Sequence, residues 1–383
     1  MVKISPFQAL RPTTSLVDKV ITKTYSNYSR NEINKEIKNN KYSFLNIINS
    51  DPKKNTEKRF DIVRSKINNF KKRNIFIKEK TSGFYIYRQS KGSKKYTGLV
   101  CNVQLKDYQE KKIKIHEKTI KNREVLFAEY LTATRIHAEP VLITYNSNNS
   151  FIKKEYLKNK NKLYDFRDKD EIQHEIWCIE KTEEIDYIIS KFKDIDSLYI
   201  ADGHHRMASS LRCKKSETCL AYILPKNELA TYPFHRILKT EKIGLNILQS
   251  MKKTLATKVI QKPNLKAKKL QYYINGKWYE INHTKRKQTN NLNQLLVTQL
   301  LNSVLKPIFN IHNERDTQNI RFIPGDGNIT TFEQQVNKNE ILFLMETIEI
   351  ERIISIANDN QTTPPKSTFI LPKIPSGLIM MEF

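Results

Sequence analysis

Between His174 and Pro225, short apolar runs alternate with amphipathic stretches. HEIWCIE, SLYIA and CLAYILP predict strands, and EEIDYIISKFKD and MASSLRCKK predict helices. Strand, helix, strand, helix, strand in one short region signals a compact α/β core. Upstream, GFYIYRQS and TGLVCNVQL are β-like runs separated by the polar KGSKKY, which is the pattern of a hairpin. A helical pattern runs from Glu117 to Thr134, PVLITYN reads as a strand, and Arg30–Asn39 and Asp61–Lys72 read as helices. YSFLNII, from Tyr42 to Ile48, reads as a further strand, and SDPKKNTEKRF after it as a polar loop. The polar, low-complexity stretch from Asn146 to Phe166 reads as a loop or edge insertion.

The pattern changes after Leu238. EKIGLNILQSMKKTL, KWYEI and NQLLVTQLLNSVL read as a second, smaller α+β unit, and the four prolines in TPPKSTFILPKIPSGLIMMEF argue against helix in the tail. The expected fold class is α+β. A mixed α/β core with an N-terminal extension spans 1–240, and a C-terminal α+β domain spans 241–383, with its tail, 362–383, docking back near the site.

Composition narrows this picture. Apolar residues make up 38% and aromatics 10% of 383 residues, too many for a disordered chain. The net charge of +27 points to anionic partners, phosphorylated small molecules or nucleic acid. Lysine outnumbers arginine roughly three to one, a profile that A/T-rich codons produce without any functional demand. A nucleic-acid reader favours arginine, whose fork pairs bidentately with phosphate and guanine. Cys101, Cys178, Cys213 and Cys219 contain no CxxC pair and read as free thiols. MVKISPFQALRP has no apolar leader region and no segment approaches eighteen apolar residues, so a soluble, cytoplasmic protein without membrane contact is expected.

The chemistry concentrates in LYIADGHHRMASSL, Leu198 to Leu211. Asp202-Gly203 after an apolar strand makes a tight turn, with glycine free to take positive φ. The helix that follows offers unpaired N–H groups and the positive end of its dipole, which suits a phosphate. Arg206 can fork onto phosphate oxygens, and His204 and His205 can move protons near neutral pH. Asp202 can hold a metal ion, orient a histidine, accept a substrate proton or simply cap the helix. Adjacent histidines on a turn rarely aim at one metal, so no protein-held metal site is expected. HEKT, His116 to Thr119, opens the long helical pattern, where Glu117 is a candidate base or a dipole-compensating acid. PFHR, Pro233 to Arg236, brings another cation or marks a surface turn. IPGDGN, Ile323 to Asn328, is a turn without the spacing or lysine of a P-loop. In PPKST, Lys366, Ser367 and Thr368 either meet an anion or belong to a docked tail.

Six segments, in this order, resemble the bacterial and archaeal family known as domain of unknown function 1015. They are PFQALRP, YSFL at Tyr42 to Leu45, IKIHEKT at Ile113 to Thr119, ADGHHR at Ala201 to Arg206, PFHR, and PPKSTFILPKIPSGL at Pro364 to Leu378. That family is similar in its Asp-Gly-His-His-Arg region to the ParB and sulfiredoxin superfamily, one branch of which phosphorylates free L-serine with ADP or ATP. The resemblance implies a ParB/sulfiredoxin-like core and a nucleotide-dependent kinase of free serine or a similar hydroxy amino acid. It implies Asp202, His204, His205 and Glu117 as catalytic residues, and Gly203, Arg206, His116, Thr119, Lys366, Ser367 and Thr368 as nucleotide or phosphate contacts. ATP or ADP and Mg²⁺ are the implied cofactors. Nucleotide and small-molecule substrate are the implied partners, with nucleic acid and self-association as lesser options. The alternative function is a ParB-like nucleotide switch or nucleic-acid-binding module without kinase activity. One departure stands out. The family has a Pro-Pro-Tyr-Asp-like segment where this chain has KTYSN, with Ser26 in the place of the acid; if that acid is the general base, this chain needs another, such as Glu32 or Glu117, or is inactive.

Overall fold

Alternation with period two builds the sheet that carries the Asp202 turn. Phe84 and Ile86, Leu99, Cys101 and Val103, Val141 and Ile143, Leu198 and Ile200, and Cys219, Ala221 and Ile223 all enter one buried apolar cluster. The structure, a computed structural model, describes residues 1–49, 56–158, 162–240, 251, 255–281, 292–314 and 317–383. The sheet runs Ile113–Lys114, Leu198–Asp202, Val141–Tyr145, Thr218–Pro225, Lys94–Gln104, Phe84–Lys91, Gln173–Ile179 and Tyr164–Arg167, with Ile4–Ser5 paired to Lys94–Gln104. It is mixed: Thr218–Pro225 is parallel to Val141–Tyr145 and antiparallel to Lys94–Gln104. Phe84–Lys91 and Lys94–Gln104 form the expected hairpin, with Gly92 at φ 57° in its turn. Helix Thr182–Phe192 contributes Ile188 and Phe192 to the apolar cluster, and helix His204–Cys213 contributes Met207.

A smaller antiparallel sheet orders Phe76–Lys78, Ala9–Pro12, Met380–Glu382 and Ile136–His137. Helix Thr56–Lys72 covers it with Phe60, Val63, Ile67 and Phe70, a helical spacing. Arg30–Asn39 is helical as expected, and the capping box of Ser29 and Glu32 fixes its start.

Two expected elements differ. Leu45–Ile48 is a short helix, not a strand. Phe44, Leu45 and Ile47 are all buried, so the run has no period to separate strand from helix, and its amides bond back to Ser43 and Phe44. The long helix begins at Lys121, so His116–Thr119 does not open it. The amide of Thr363 donates to the His116 carbonyl at 2.7 Å, and Glu117 bridges to Thr363 in extended backbone. Within the stretch read as a loop, Tyr164–Arg167 forms an edge strand.

The chain divides into two units, the first made of Met1–Ile115, Thr119–Leu229 and Pro372–Phe383, the second of His116–Lys118 and Ala230–Leu371. Both are α+β. The second is built on a sheet ordered Thr257–Ile260, Lys277–Ile281, Gln271–Ile274, Glu340–Leu344, Ala230–Lys239 and Ile320–Pro324, with Thr368–Leu371 also paired to Ala230–Lys239. NQLLVTQLLNSVL is helical from Leu296 to Leu300 and continues as a π turn over Leu301–Leu305. Of EKIGLNILQSMKKTL, only Met251 and Leu255 lie within the described residues. Among the described residues no helix is long and apolar enough to cross a membrane.

PFHR is neither a surface turn nor a spare cation: it lies in the buried strand Ala230–Lys239. Arg236 pairs with Glu314 at 3.0 Å, both side chains 1% exposed, and also donates to the Phe234 and Pro365 carbonyls. Arg236→Met would strand the Glu314 carboxylate in the core. It should destabilise the protein by about 3–5 kcal/mol in chemical denaturation, and Arg236→Met with Glu314→Leu should recover most of that loss.

Candidate functional site

Regular alternation would point Asp202 into the apolar cluster with Leu198 and Ile200. A bulge prevents this: Ile200 pairs with Ile143 and Asp202 with Leu142, leaving Ala201 as an extra residue. Asp202 is thereby turned to the other face at the end of the strand. Gly203 follows at φ 96° and ψ 25°, and helix His204–Cys213 begins at once. The positive φ favours glycine, and a Cβ there would lie 2.8 Å from Arg206 Nε, so a larger residue would displace the Arg206 guanidinium.

The first turn of that helix carries His204, His205 and Arg206. Arg206 does not stand open for an anion. One terminal nitrogen donates to Asp202 Oδ2 at 2.9 Å and the other to Glu139 Oε2 at 2.9 Å. Lys373 Nζ pairs with Asp202 Oδ1 at 2.8 Å, and the Ser376 hydroxyl donates to the other Glu139 oxygen. Lys373, Asp202, Arg206 and Glu139 thus form a chain of alternating charge. Burial alone would raise the Asp202 pKa, but Lys373 and Arg206 outweigh it and hold the carboxyl well below the usual range. His137, beside them, is pushed down to about 3 by burial first and by the Arg206 charge second.

The tail reaches this cluster through its backbone. The Gln89 side chain donates to the Lys373 carbonyl at 2.6 Å, and Ser376 exchanges backbone hydrogen bonds with Thr22. Pro372 and Pro375 stiffen the segment that carries Lys373.

The sequence-derived site residues fall into two groups. Asp202, Gly203, His204, His205 and Arg206 lie together in the first unit. Thr119 is in the same unit, where its hydroxyl donates to Glu124, which also pairs with Arg212 of the same helix as Arg206. His116, Glu117, Lys366, Ser367 and Thr368 belong to the second unit. There His116 Nε2 lies 3.3 Å from the Thr368 hydroxyl, Ser367 donates to the Pro364 carbonyl, and the Lys366 ammonium sits 4.9 Å over the Phe234 ring. Glu32 serves the capping box, its carboxylate accepting from the Ser29 amide at 2.7 Å. Glu139, Lys373 and Ser376 were not singled out from the sequence. Lys373 and Ser376 lie inside PPKSTFILPKIPSGL, where a lysine framed by prolines was the available signal; Glu139, in HAEP, carried none.

A strand end, a left-handed glycine and a helix N-terminus ringed by paired charges form this turn, in an α+β protein. The chain belongs to the family described as Protein of unknown function (DUF1015), whose model matches residues 4–303. Its fold is similar to that of SbnI with C-terminal truncation from Staphylococcus aureus, at 9% identity and a TM-score of 0.43 over 72% of this chain and 85% of that one. It is also similar to a free serine kinase in complex with AMP, at 16% identity and a TM-score of 0.40 over 73% and 92%. A mutant free serine kinase in complex with ADP matches at 15% identity and a TM-score of 0.40, with the same coverage. No curated protein matches the chain at a significant level.

Two outcomes follow from the geometry. Gly203→Ala should cost about 1–2 kcal/mol for left-handed backbone and displace Arg206 from Asp202, which thermal denaturation would report. Because the His137 pKa is depressed from 6.5 to about 3, its contribution to stability is full above pH 6.5 and drains as pH falls toward 3. Between pH 7 and 5 the wild type should therefore lose stability faster than His137→Phe, by up to about 1.4 kcal/mol per pH unit, in denaturation midpoints.

Proposed function

We infer that the protein is a nucleotide-dependent phosphotransferase acting on a small hydroxy amino acid, with free L-serine as the leading acceptor, O-phosphoserine as product and ATP or ADP as donor. The observation that carries this reading is the Asp202–Arg206 turn, where a bulged strand delivers its end to a helix N-terminus through a glycine at positive φ. Such an end accepts phosphate through backbone N–H groups and the helix dipole.

The nucleotide supplies the transferable phosphoryl group. Among the described residues no group of three or more His, Cys, Asp or Glu is placed to hold a metal, so Mg²⁺ would rest on phosphate oxygens and water. Asp202 stays ionised beside Lys373 and Arg206, so it orients an acceptor hydroxyl or accepts its proton and does not act as an acid. Arg206 and Lys373 are each neutralised by a carboxylate. A phosphate therefore competes with those carboxylates for their charge, and Glu139 is the competitor for Arg206. His204, in the first turn of the helix, and His205 beside it are candidate donors to the transferring group. In this reading Thr119, of the same unit, is a contributor from outside the turn.

The test incubates the full chain with labelled ATP or ADP, Mg²⁺ and a pool of amino acids. Phosphoserine should form, and Asp202→Ala should reduce it by about a hundredfold or more. Absence of acceptor-dependent turnover with either nucleotide would sink the reading. Glu139→Gln should lower the KM for nucleotide severalfold, since it removes a competitor for Arg206.

A further inference from the structure

The Lys373 side chain belongs to two places at once. It pairs with Asp202, and it also lines a cavity of about 330 Å³ within the first unit. The cavity wall carries four carboxylates, Asp18, Glu36, Asp168 and Asp170, against three lysines, Lys23, Lys169 and Lys373. In a chain with 67 lysines and arginines against 40 acids, that lining reverses the prevailing sign.

We propose that this cavity is the acceptor pocket and that it recognises the ammonium group of a free α-amino acid, with Asp168 as the anionic contact. This rests on the phosphotransferase reading above. Asp168 is built as a fixed anion. Its Oδ1 accepts from the amides of Asp170 and Ile172 at 2.8 and 2.9 Å, and its Oδ2 lies 3.0 Å from His174 Nε2. His174, fully buried, lies 2.7 Å through Nδ1 from the Tyr87 hydroxyl, which accepts from Gln89, and Gln89 donates in turn to the Lys373 carbonyl. One buried chain of hydrogen bonds therefore sets both the carboxylate on the cavity wall and the backbone of the lysine that joins the cavity to the Asp202 turn. The volume is at the small end for ligand pockets, which suits an amino acid. An acceptor bound here shares Lys373 with the turn that would hold the donor's phosphates, as transfer between them requires.

Calorimetry on the full chain without nucleotide tests this, with L-serine as probe and glycerate, in which a hydroxyl replaces the ammonium, as control. L-serine should bind at least tenfold tighter than glycerate. Asp168→Asn should abolish that preference while nucleotide binding stays within twofold. The wild-type comparison of L-serine with glycerate keeps the test decisive if Asp168→Asn fails to fold. Equal binding of L-serine and glycerate, or a folded Asp168→Asn variant that binds L-serine like the wild type, overturns the proposal. Phosphoserine formation with equal serine and glycerate binding would overturn the pocket and leave the phosphotransferase reading. L-serine binding with the expected variant effect but no transfer would do the reverse.

Discussion

The ion pair between Asp202 and Arg206 is the contact on which the first unit's site depends. It closes the first helical turn onto the strand end, and Gly203 is the hinge that lets the two side chains meet. Each exposed pair taken alone contributes little, since solvent screens it and ordering long side chains costs entropy. Here the pair is the middle of a chain, with Lys373 on one side and Glu139 on the other, and Ser376 holding Glu139. The value of the arrangement is positional. Removing one member leaves a neighbour's charge uncompensated and frees the segment that carried it.

The same arrangement changes how the basic character of the chain should be understood. A charge of +27 invites the expectation that arginine in a phosphate-binding turn waits for phosphate. Instead Arg206 is committed to two carboxylates, and Arg236, the other motif arginine, is locked in a core pair with Glu314. The arginines of the recognisable motifs are thus used for geometry, while the bulk of the charge is lysine. In the proposed function, anion recognition falls to the helix end, with Arg206 and Lys373 already shared with carboxylates.

The middle of the site was legible because it is local. A strand, Asp-Gly and two histidines with arginine in a first helical turn occupy consecutive positions, and period two followed by a helical pattern locates them. The hairpin Phe84–Gln104 and the helices Arg30–Asn39 and Thr182–Phe192 were legible for the same reason. YSFLNII was not, because Ser43, Phe44, Leu45 and Ile47 are all buried and leave no alternation to distinguish strand from helix. His116–Thr119 was misread because its apolar and charged spacing resembles a helix start, whereas a backbone bond from Thr363, far along the chain, keeps it extended. The bulge at Ala201 leaves no mark in composition, although it decides where Asp202 points.

The illegible part of the site has a single physical origin, which is separation along the chain. Thr22 and Lys23 come from the beginning, Glu139 and Asp202 from the middle, and Lys373 and Ser376 from the end. The chain passes into the second unit at Ala230 and returns at Pro372, so Lys373 arrives just as the tail re-enters the first unit. Met380–Glu382 then pairs with Ala9–Pro12 and Ile136–His137, closing the small sheet only once the last residues are in place. Closing so long a loop costs little more than closing a shorter one, because the entropy grows only logarithmically with length. The cost is kinetic: the contacts that complete the turn are among the most non-local in the molecule, and such contacts form late. A chain lacking its tail would keep the Asp202–Arg206 turn and lose the lysine that links the turn to the cavity, which places the functional closure of this unit in its last twelve residues, Pro372–Phe383.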